Sequence, residues 1–233
     1  MGVSVVVGEQ EAYLARVGRA GMLLLPMITG IGEQVRAWAD ELAGEEGITA
    51  LVWDPFKGRS TDNSSREELS ALLQQMDDDA ALAEQSQLLD YLFTELGCTK
   101  AGVIGWCLGG RFALLLSARD HRVANAIAFH PTVPSELAPH HSYDAIAEAA
   151  AITAPVLVSY PSADTLVSNA DFQALETALQ TRASGATFTQ YFPGAEHGFS
   201  DKGRHDKAVN ADAFRLAWPQ ALALIKATTG DAR

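Results

Sequence analysis

The chain has 233 residues, of which 48% are hydrophobic, and it carries a formal net charge of −12 at pH 7. This length and composition suffice to bury the core of one α/β domain, so we expect residues 1–233 to form a single domain. The acidic balance disfavours nucleic acids and anionic membranes as partners, because both would repel the chain.

The two cysteines, Cys98 and Cys107, are too few for a disulfide framework and favour a reducing compartment. The N-terminal stretch has no basic leader, and no apolar run reaches the roughly 18 residues that a membrane span needs. We therefore expect a cytoplasmic protein that does not bind membranes. The sequence leaves open whether it is a monomer or a homodimer.

Short apolar runs alternate with stretches of helical periodicity from end to end, which is typical of parallel strands joined by crossover helices. The predicted strands lie near 3–7, 20–28, 48–53, 101–106, 123–130, 155–160 and 186–192. The predicted helices lie at 33–44, 66–76, 79–97, 109–118, 169–182 and 207–227. Continuous apolar runs such as Met22–Leu25 suit strands covered on both faces. The pattern predicts an α/β fold with a mostly parallel central sheet between two layers of helices.

Two polar stretches fall between these elements. The acidic cluster at residues 77–79 could suggest a metal site, but adjacent carboxylates on a helix point in different directions, so we interpret it as a solvated helix start. The segment 131–151 is predicted to be an excursion over the end of the sheet.

A sharp turn with a thiol at its tip follows the fourth predicted strand. Residues 105–110 read Gly-Trp-Cys-Leu-Gly-Gly, directly before an apolar helical stretch. This pattern resembles a nucleophile elbow with Cys107 as the nucleophile. The N-terminus of the following helix would lower the pKa of the thiol and stabilise an oxyanion. A buried cysteine beside turn glycines is the structural alternative.

An acid and an imidazole follow later strands. Asp164 lies directly after the strand 155–160, and His197 lies directly after the strand 186–192. Functional groups of a parallel sheet gather at the carboxyl ends of its strands, and nucleophile, acid, base is the chain order of α/β hydrolases. Each residue alone could be an ordinary loop or capping residue. Together they predict a catalytic triad of Cys107, Asp164 and His197.

Other histidines compete with His197 as the base. His130 ends the strand 123–130, and we interpret it first as a pocket wall or substrate contact and only second as a base. His121 and His205 lie in polar stretches that we expect to be exposed, and His140 and His141 lie in the excursion with no strand immediately before them. Neither H-E-x-x-H nor paired C-x-x-C spacing occurs, and G-x-G-x-x-G is missing, so we expect neither a metal nor another cofactor.

These residues resemble the dienelactone hydrolase family, a branch of the α/β-hydrolase fold whose elbow reads G-x-C-x-G-G. The resemblance covers most of the chain, from the stretch Val52–Phe56 to the motif His197–Phe199. It implies carboxymethylenebutenolidase-like hydrolysis of a small ester or lactone. It also implies an oxyanion hole from the backbone N–H groups of Leu108 and Ile28.

The sequence departs from the family pattern near the expected substrate. Met27 occupies the position where well-known members have a thiol-activating glutamate, and Asp201 stands near the place of a carboxylate-binding arginine. The acid argues against a dianionic dienelactone as substrate. The predicted substrate-pocket residues are Met27, Trp106, His130, Phe199 and Asp201.

Two other classes of function remain open at this point. A thiol-based redox sensor would use Cys107 without hydrolysis, but a predicted strand separates Cys98 from it by roughly 20 Å, which weakens a disulfide cycle. A non-catalytic binding protein could retain the same fold. Ester turnover that depends on Cys107 would distinguish the hydrolase from both.

Overall fold

A computed structural model describes residues 1–134 and 136–230 of the chain. The interpretation of residues 1–233 as one domain stays a prediction, and Ser135 and residues 231–233 lie outside the described residues.

In the described part of the chain, eight strands form one sheet, which is mostly parallel as the sequence predicts. They are β1 (Val3–Val7), β2 (Gln10–Ala15), β3 (Ala20–Leu25), β4 (Thr49–Trp53), β5 (Lys100–Trp106), β6 (Val123–Phe129), β7 (Val156–Pro161) and β8 (Thr187–Phe192). Their order across the sheet is β1-β2-β4-β3-β5-β6-β7-β8, in which β1 and β2 are antiparallel to their neighbours and β3 to β8 run parallel. The carboxyl ends of the six parallel strands therefore meet along one edge.

The sequence interpretation missed β2 and placed the end of β3 too late. β2 begins with the polar residues Gln10 and Glu11, which hide its alternation, and a hairpin turn containing Gly8 at φ +63° joins it to β1. β3 ends at Leu25 rather than at Ile28, because Pro26 has no N–H for the ladder. Residues 26–28 form a loop at the carboxyl edge instead.

Helices cover both faces of the sheet. They are α1 (Glu33–Gly44), α2 (Arg66–Leu73), α3 (Asp78–Thr94), α4 (Leu108–Arg119), α5 (Ala145–Glu148), α6 (Asn169–Gln180) and α7 (Ala208–Thr229). One buried cluster packs side chains of α1 and α7 against the sheet, and the other packs α3, α4 and α6 against the opposite face. A stack of Trp38 from α1 on Trp106 from β5, with ring centroids 4.3 Å apart, anchors the first cluster.

The predicted excursion 131–151 contains the short helix α5 and a 3-10 turn at Ala149–Ala151. It is held by a buried ion pair that the sequence interpretation missed. The prediction that Asp78 is solvated is wrong. Asp78 pairs with Arg111 of α4, and both side chains are only 2% exposed. Asp78 also accepts hydrogen bonds from the backbone N–H groups of Ser142 and Tyr143.

Over residues 1–134 and 136–230, none of the helices has the length and apolar character that crossing a bilayer requires.

Candidate active site

Cys107 occupies a strained turn between β5 and α4. Its backbone has φ +53° and ψ −113°, a conformation that costs a residue with a side chain roughly 1–3 kcal/mol. Such strain persists only where the surroundings enforce it, and the neighbouring glycines show how they do so.

Each glycine of the elbow is needed for a close approach of backbone. A Cβ atom on Gly105 would lie 2.0 Å from the carbonyl oxygen of Gly109, and one on Gly109 would lie 1.8 Å from the carbonyl oxygen of Leu25. A Cβ atom on Gly110 would lie 3.0 Å from Cα of Pro131. The G-x-C-x-G-G pattern therefore lets β5, α4, the loop after β3 and the loop after β6 converge at the thiol.

Asp164 and His197 reach the same rim from the loops after β7 and β8. Asp164 Oδ2 and His197 Nδ1 are 2.7 Å apart, and Asp164 Oδ1 accepts hydrogen bonds from the N–H groups of Leu166 and Val167. The carboxylate side chain is 1% exposed and the imidazole 12% exposed. A 2.9 Å hydrogen bond from Ala163 N to Ala195 O joins the two loops. The carboxylate is thus fixed from several sides and can orient one imidazole nitrogen.

The sulfur and the imidazole perturb each other's ionisation. Burial alone would raise the pKa of Cys107, but the charge of the neighbouring His197, with contributions from the Thr132 hydroxyl and the Leu108 N–H, lowers it below its ordinary value of 9.0. Burial alone would lower the pKa of His197, but Cys107 and Asp164 raise it to about 10. Both shifts favour a thiolate beside an imidazolium over the neutral pair.

The hydrogen bond of the sulfur in this structure goes to a threonine. Cys107 Sγ lies 3.2 Å from Oγ1 of Thr132. His197 Nε2 is buried and has no hydrogen-bond partner among residues 1–134 and 136–230. Thr132 was not among the predicted site residues, since the loop after β6 contains no motif.

The loop after β3 lies against the start of α4. Gly109 donates its N–H to Pro26 O at 3.1 Å, which brings Ile28 and Leu108 to the cavity that contains Cys107. The N–H of Leu108 stands at the first position of α4, where no intrahelical partner exists. Both predicted oxyanion-hole residues are therefore near the thiol, and their roles stay a prediction.

The cavity beside Cys107 has a volume of about 280 Å³. Of the predicted residues, it is lined by Met27, Ile28, Cys107, Leu108, His197 and Asp201. Residues that the sequence interpretation missed also line it, including Arg66, Thr132, His141 and Arg204. A larger cavity of about 710 Å³ on the other side of α2 contains none of the predicted site residues.

Three predicted pocket residues do not line this cavity, and the structure corrects their placement. Trp106, His130 and Phe199 are fully buried. Trp106 points into the core, where it stacks on Trp38. His130 lies behind the site with its ring 4.9 Å from that of His197, and Phe199 packs on His130 at 5.2 Å. Residues directly after a strand end alternate between the cavity and the core, which sequence position alone does not resolve.

His130 lies behind His197, away from the cavity, and its role stays a prediction. One ring nitrogen, Nε2, is hydrogen-bonded to Ser200 Oγ at 2.7 Å. Burial, followed by the charge on His197, holds the pKa of His130 well below its usual range. A neutral ring behind His197 leaves a single imidazolium between the sulfur and the carboxylate.

From the sequence, Asp201 is expected to stand near the place of a carboxylate-binding arginine, and this description of the pocket charges is incomplete. Asp201 lines the cavity, but its side chain accepts a hydrogen bond from the Gly203 N–H. Arg204 follows three residues later and lines the same cavity, as does Arg66 from the start of α2. Positive charge is therefore available to a substrate despite Asp201.

Within the described residues, no group of three or more His, Cys, Asp or Glu side chains is arranged to hold a metal ion. The expectation of a cofactor-free site stays a prediction.

The sequence and the fold were compared with those of known proteins. The model of the dienelactone hydrolase family matches residues 11–229. A relative from Bradyrhizobium, provisionally named a 2-oxo-3-(5-oxofuran-2-ylidene)propanoate lactonase, is 26% identical over 231 residues, which cover 94% of this chain and 90% of that protein.

Solved structures show the same fold. A provisionally named dienelactone hydrolase from Klebsiella pneumoniae superposes with a TM-score of 0.82 at 20% identity, covering 97% of this chain and 98% of the other. A dienelactone hydrolase-like promiscuous phosphotriesterase from metagenomic libraries gives 0.78 at 22% identity, covering 99% and 98%. With the family model matched along nearly the whole chain, this protein belongs to the dienelactone hydrolase family and is a hydrolase of the α/β-hydrolase fold.

Proposed function

We propose that this protein hydrolyses a small ester or lactone through a triad of Cys107, His197 and Asp164. One observation carries the proposal. A sulfur in an elbow turn and an imidazole held at 2.7 Å by a buried carboxylate come from three separate loops to one cavity. The lowered pKa of Cys107 and the raised pKa of His197 support the proposal, because they favour the thiolate and imidazolium that acyl transfer needs.

The reaction would proceed in two steps. The thiolate of Cys107 attacks the carbonyl carbon, and the N–H groups of Leu108 and Ile28 stabilise the oxyanion. The C–O bond then breaks, and His197 donates its proton to the leaving alkoxide, which leaves a thioester on Cys107. Neutral His197 next takes a proton from water, and the hydroxide attacks the thioester and releases the acid and the thiolate. In a lactone the alcohol stays attached to the acyl group.

The cavity suggests a small substrate that carries a carboxylate. Its volume of about 280 Å³ suits a compact molecule. Arg66 and Arg204 supply positive charge, and Arg204 lies near Glu196 at 3.8 Å, too far for a tight ion pair. The Bradyrhizobium relative is named for a lactone that bears a carboxylate, which agrees with this charge. Carboxylated lactones are accordingly the first substrates to test.

The experiment compares the two cysteines. Cys107→Ala should lower kcat/KM on a panel of aryl esters and carboxylated lactones by roughly 1000-fold or more. Cys98→Ala is the matched control, because Cys98 is buried at the opposite end of β5, and it should retain activity. Turnover by Cys107→Ala at the parent rate would reject the proposal.

Thiol chemistry gives a second test that needs no substrate. Alkylation of Cys107 at neutral pH should slow strongly in His197→Ala, because the imidazolium that stabilises the thiolate is lost. An unchanged alkylation rate would contradict the proposed activation. Peroxide consumption without turnover of any ester would instead favour a thiol sensor, and ligand binding without turnover would favour a binding protein.

A further inference from the structure

Thr132 is the side chain that the sulfur of Cys107 contacts by a hydrogen bond. The distance from Sγ to Oγ1 is 3.2 Å, within the range for a sulfur acceptor or donor. Met27, on the loop after β3, lines the same cavity, but its thioether has no proton to donate. Of these two cavity residues, Thr132 can therefore donate a hydrogen bond to the sulfur, and Met27 cannot.

Backbone hydrogen bonds fix the position of Thr132 relative to the thiol. Cys107 N donates to Phe129 O at 3.0 Å, and Thr132 N donates to Cys107 O at 3.1 Å. The backbone N–H of Cys107 is thus paired with the last residue of β6, and its carbonyl oxygen with the loop that follows. Gly110 leaves the space that Pro131 of this loop occupies. These backbone hydrogen bonds fix the position of the Thr132 backbone, so the fold itself places the hydroxyl beside the sulfur.

We propose that the Thr132 hydroxyl donates a hydrogen bond to the thiolate of Cys107 and positions the reacting sulfur before the substrate binds. The inference deepens the proposed function, on whose nucleophile it rests. A hydroxyl cannot take the thiol proton at neutral pH, so Thr132 is not a base. It stabilises the anion while His197 keeps the proton for the leaving alkoxide.

The direction of the hydrogen bond follows from the charge on its two partners. A thiolate can only accept, whereas a neutral thiol could donate to the hydroxyl instead. The raised pKa of His197 keeps the imidazole charged, which favours the anionic sulfur. If the hydroxyl donates to the thiolate, removing it should raise the pKa of Cys107. If the hydroxyl instead accepts from a neutral thiol, removing it would not raise this pKa.

The test is a pH titration of alkylation by iodoacetamide, with the full chain carrying Cys98→Ala so that Cys107 alone reports. Thr132→Val removes the hydroxyl and keeps the shape, and it should move the midpoint upward by about one pH unit. The rate on the alkaline plateau should rise by roughly threefold, because thiolate nucleophilicity increases with basicity. Thr132→Ser keeps the hydroxyl and should retain the parent midpoint.

Two further variants make the titration decisive. Thr61→Val removes a hydroxyl from the same cavity without a hydrogen bond to the sulfur and should leave the midpoint unchanged. Thr132→Ala also lacks the hydroxyl and serves if Thr132→Val does not fold. A midpoint that stays at the parent value or falls in folded Thr132→Val or Thr132→Ala would overturn the proposal.

The titration needs no substrate, so it separates this inference from the proposed function. Ester turnover that survives Cys107→Ala would remove the hydrolytic role of the thiol, whatever Thr132 does. An upward shift of the midpoint together with a lower kcat/KM in Thr132→Val would support both.

Discussion

Replacing Asp78 by asparagine should destabilise the fold far more than a surface substitution would. Asp78 receives hydrogen bonds of 2.8 and 2.7 Å from the guanidinium of Arg111 and two more from the backbone of Ser142 and Tyr143. Arg111 also donates to Tyr143 O at 2.7 Å. Asparagine would leave a buried guanidinium without its counter-charge and turn an N–H₂ group toward existing donors.

The expected magnitude follows from the burial of the pair. Both side chains are 2% exposed, so the loss of one partner should cost about 3–5 kcal/mol. That is a large part of the roughly 5–15 kcal/mol by which a domain is stable. For a chain of this size it corresponds to a decrease in Tm of roughly 6–20 °C. Because Ser142 and Tyr143 follow His141 in the cavity wall, KM should rise as well.

Urea unfolding followed by circular dichroism measures the difference. Asp79→Asn is the matched control, since this adjacent carboxylate is exposed and bonds the hydroxyl of Tyr143. Burial alone would raise the pKa of Asp78, but Arg111 and the two backbone N–H groups hold it below its ordinary value of 3.8. The contribution of the carboxylate is therefore present above pH 3.8 and lost as the pH falls through the lowered pKa, so the stability gap should close in acid. A gap within 1 kcal/mol of the Asp79→Asn value at neutral pH would refute this reasoning.

The proposed triad and its elbow give three more expectations. A plot of kcat/KM against pH should rise on its acid limb below pH 9.0, because the pKa of Cys107 is lowered from that value. It should fall near pH 10, where His197 loses its proton. A profile with a single ionisation at the pKa of an unperturbed thiol would contradict this expectation. Asp164→Asn should lower kcat by roughly 10³- to 10⁴-fold, and a loss below tenfold would argue against its orienting role. Gly110→Ala should lower kcat/KM with circular dichroism unchanged, because the added Cβ meets Pro131 at 3.0 Å and displaces the loop after β6, and full activity would show that this loop can yield freely.

The periodicity of the sequence predicts most of the fold because the parallel strands are buried on both faces. Runs such as Met22–Leu25 have no polar alternation and stand out from the helical segments around them. β2 escaped notice because it lies near the sheet edge and starts with polar residues. The end of β3 depended on Pro26, whose missing N–H matters only once the ladder partner is known.

The site was predictable where a motif couples chemistry to chain order, and unpredictable where contacts form across the chain. The thiol, acid and imidazole each follow a strand, so topology alone brings them to one rim. Thr132 and Arg204 follow no motif, and their place in the cavity depends on loop conformation. Asp78 looked like one of three solvated acids, because its partner Arg111 lies 33 residues away in the sequence.

The charges of the site set a condition on the substrate. The pKa shifts of Cys107 and His197 favour a thiolate beside an imidazolium, and burial lowers the pKa of His130, which keeps its ring neutral. With the carboxylate of Asp164, the group in that state carries an excess of one negative charge. Asp201 adds to it at the cavity wall, within a chain of net charge −12. A substrate carboxylate would be repelled by both the site and the chain unless local cations offset them. Arg66 and Arg204 are the cationic side chains of the described cavity that lack a tight carboxylate partner there, whereas Arg111 is neutralised by Asp78. An anionic ester or lactone should therefore depend on these two arginines for KM, while a neutral ester of the same size should not.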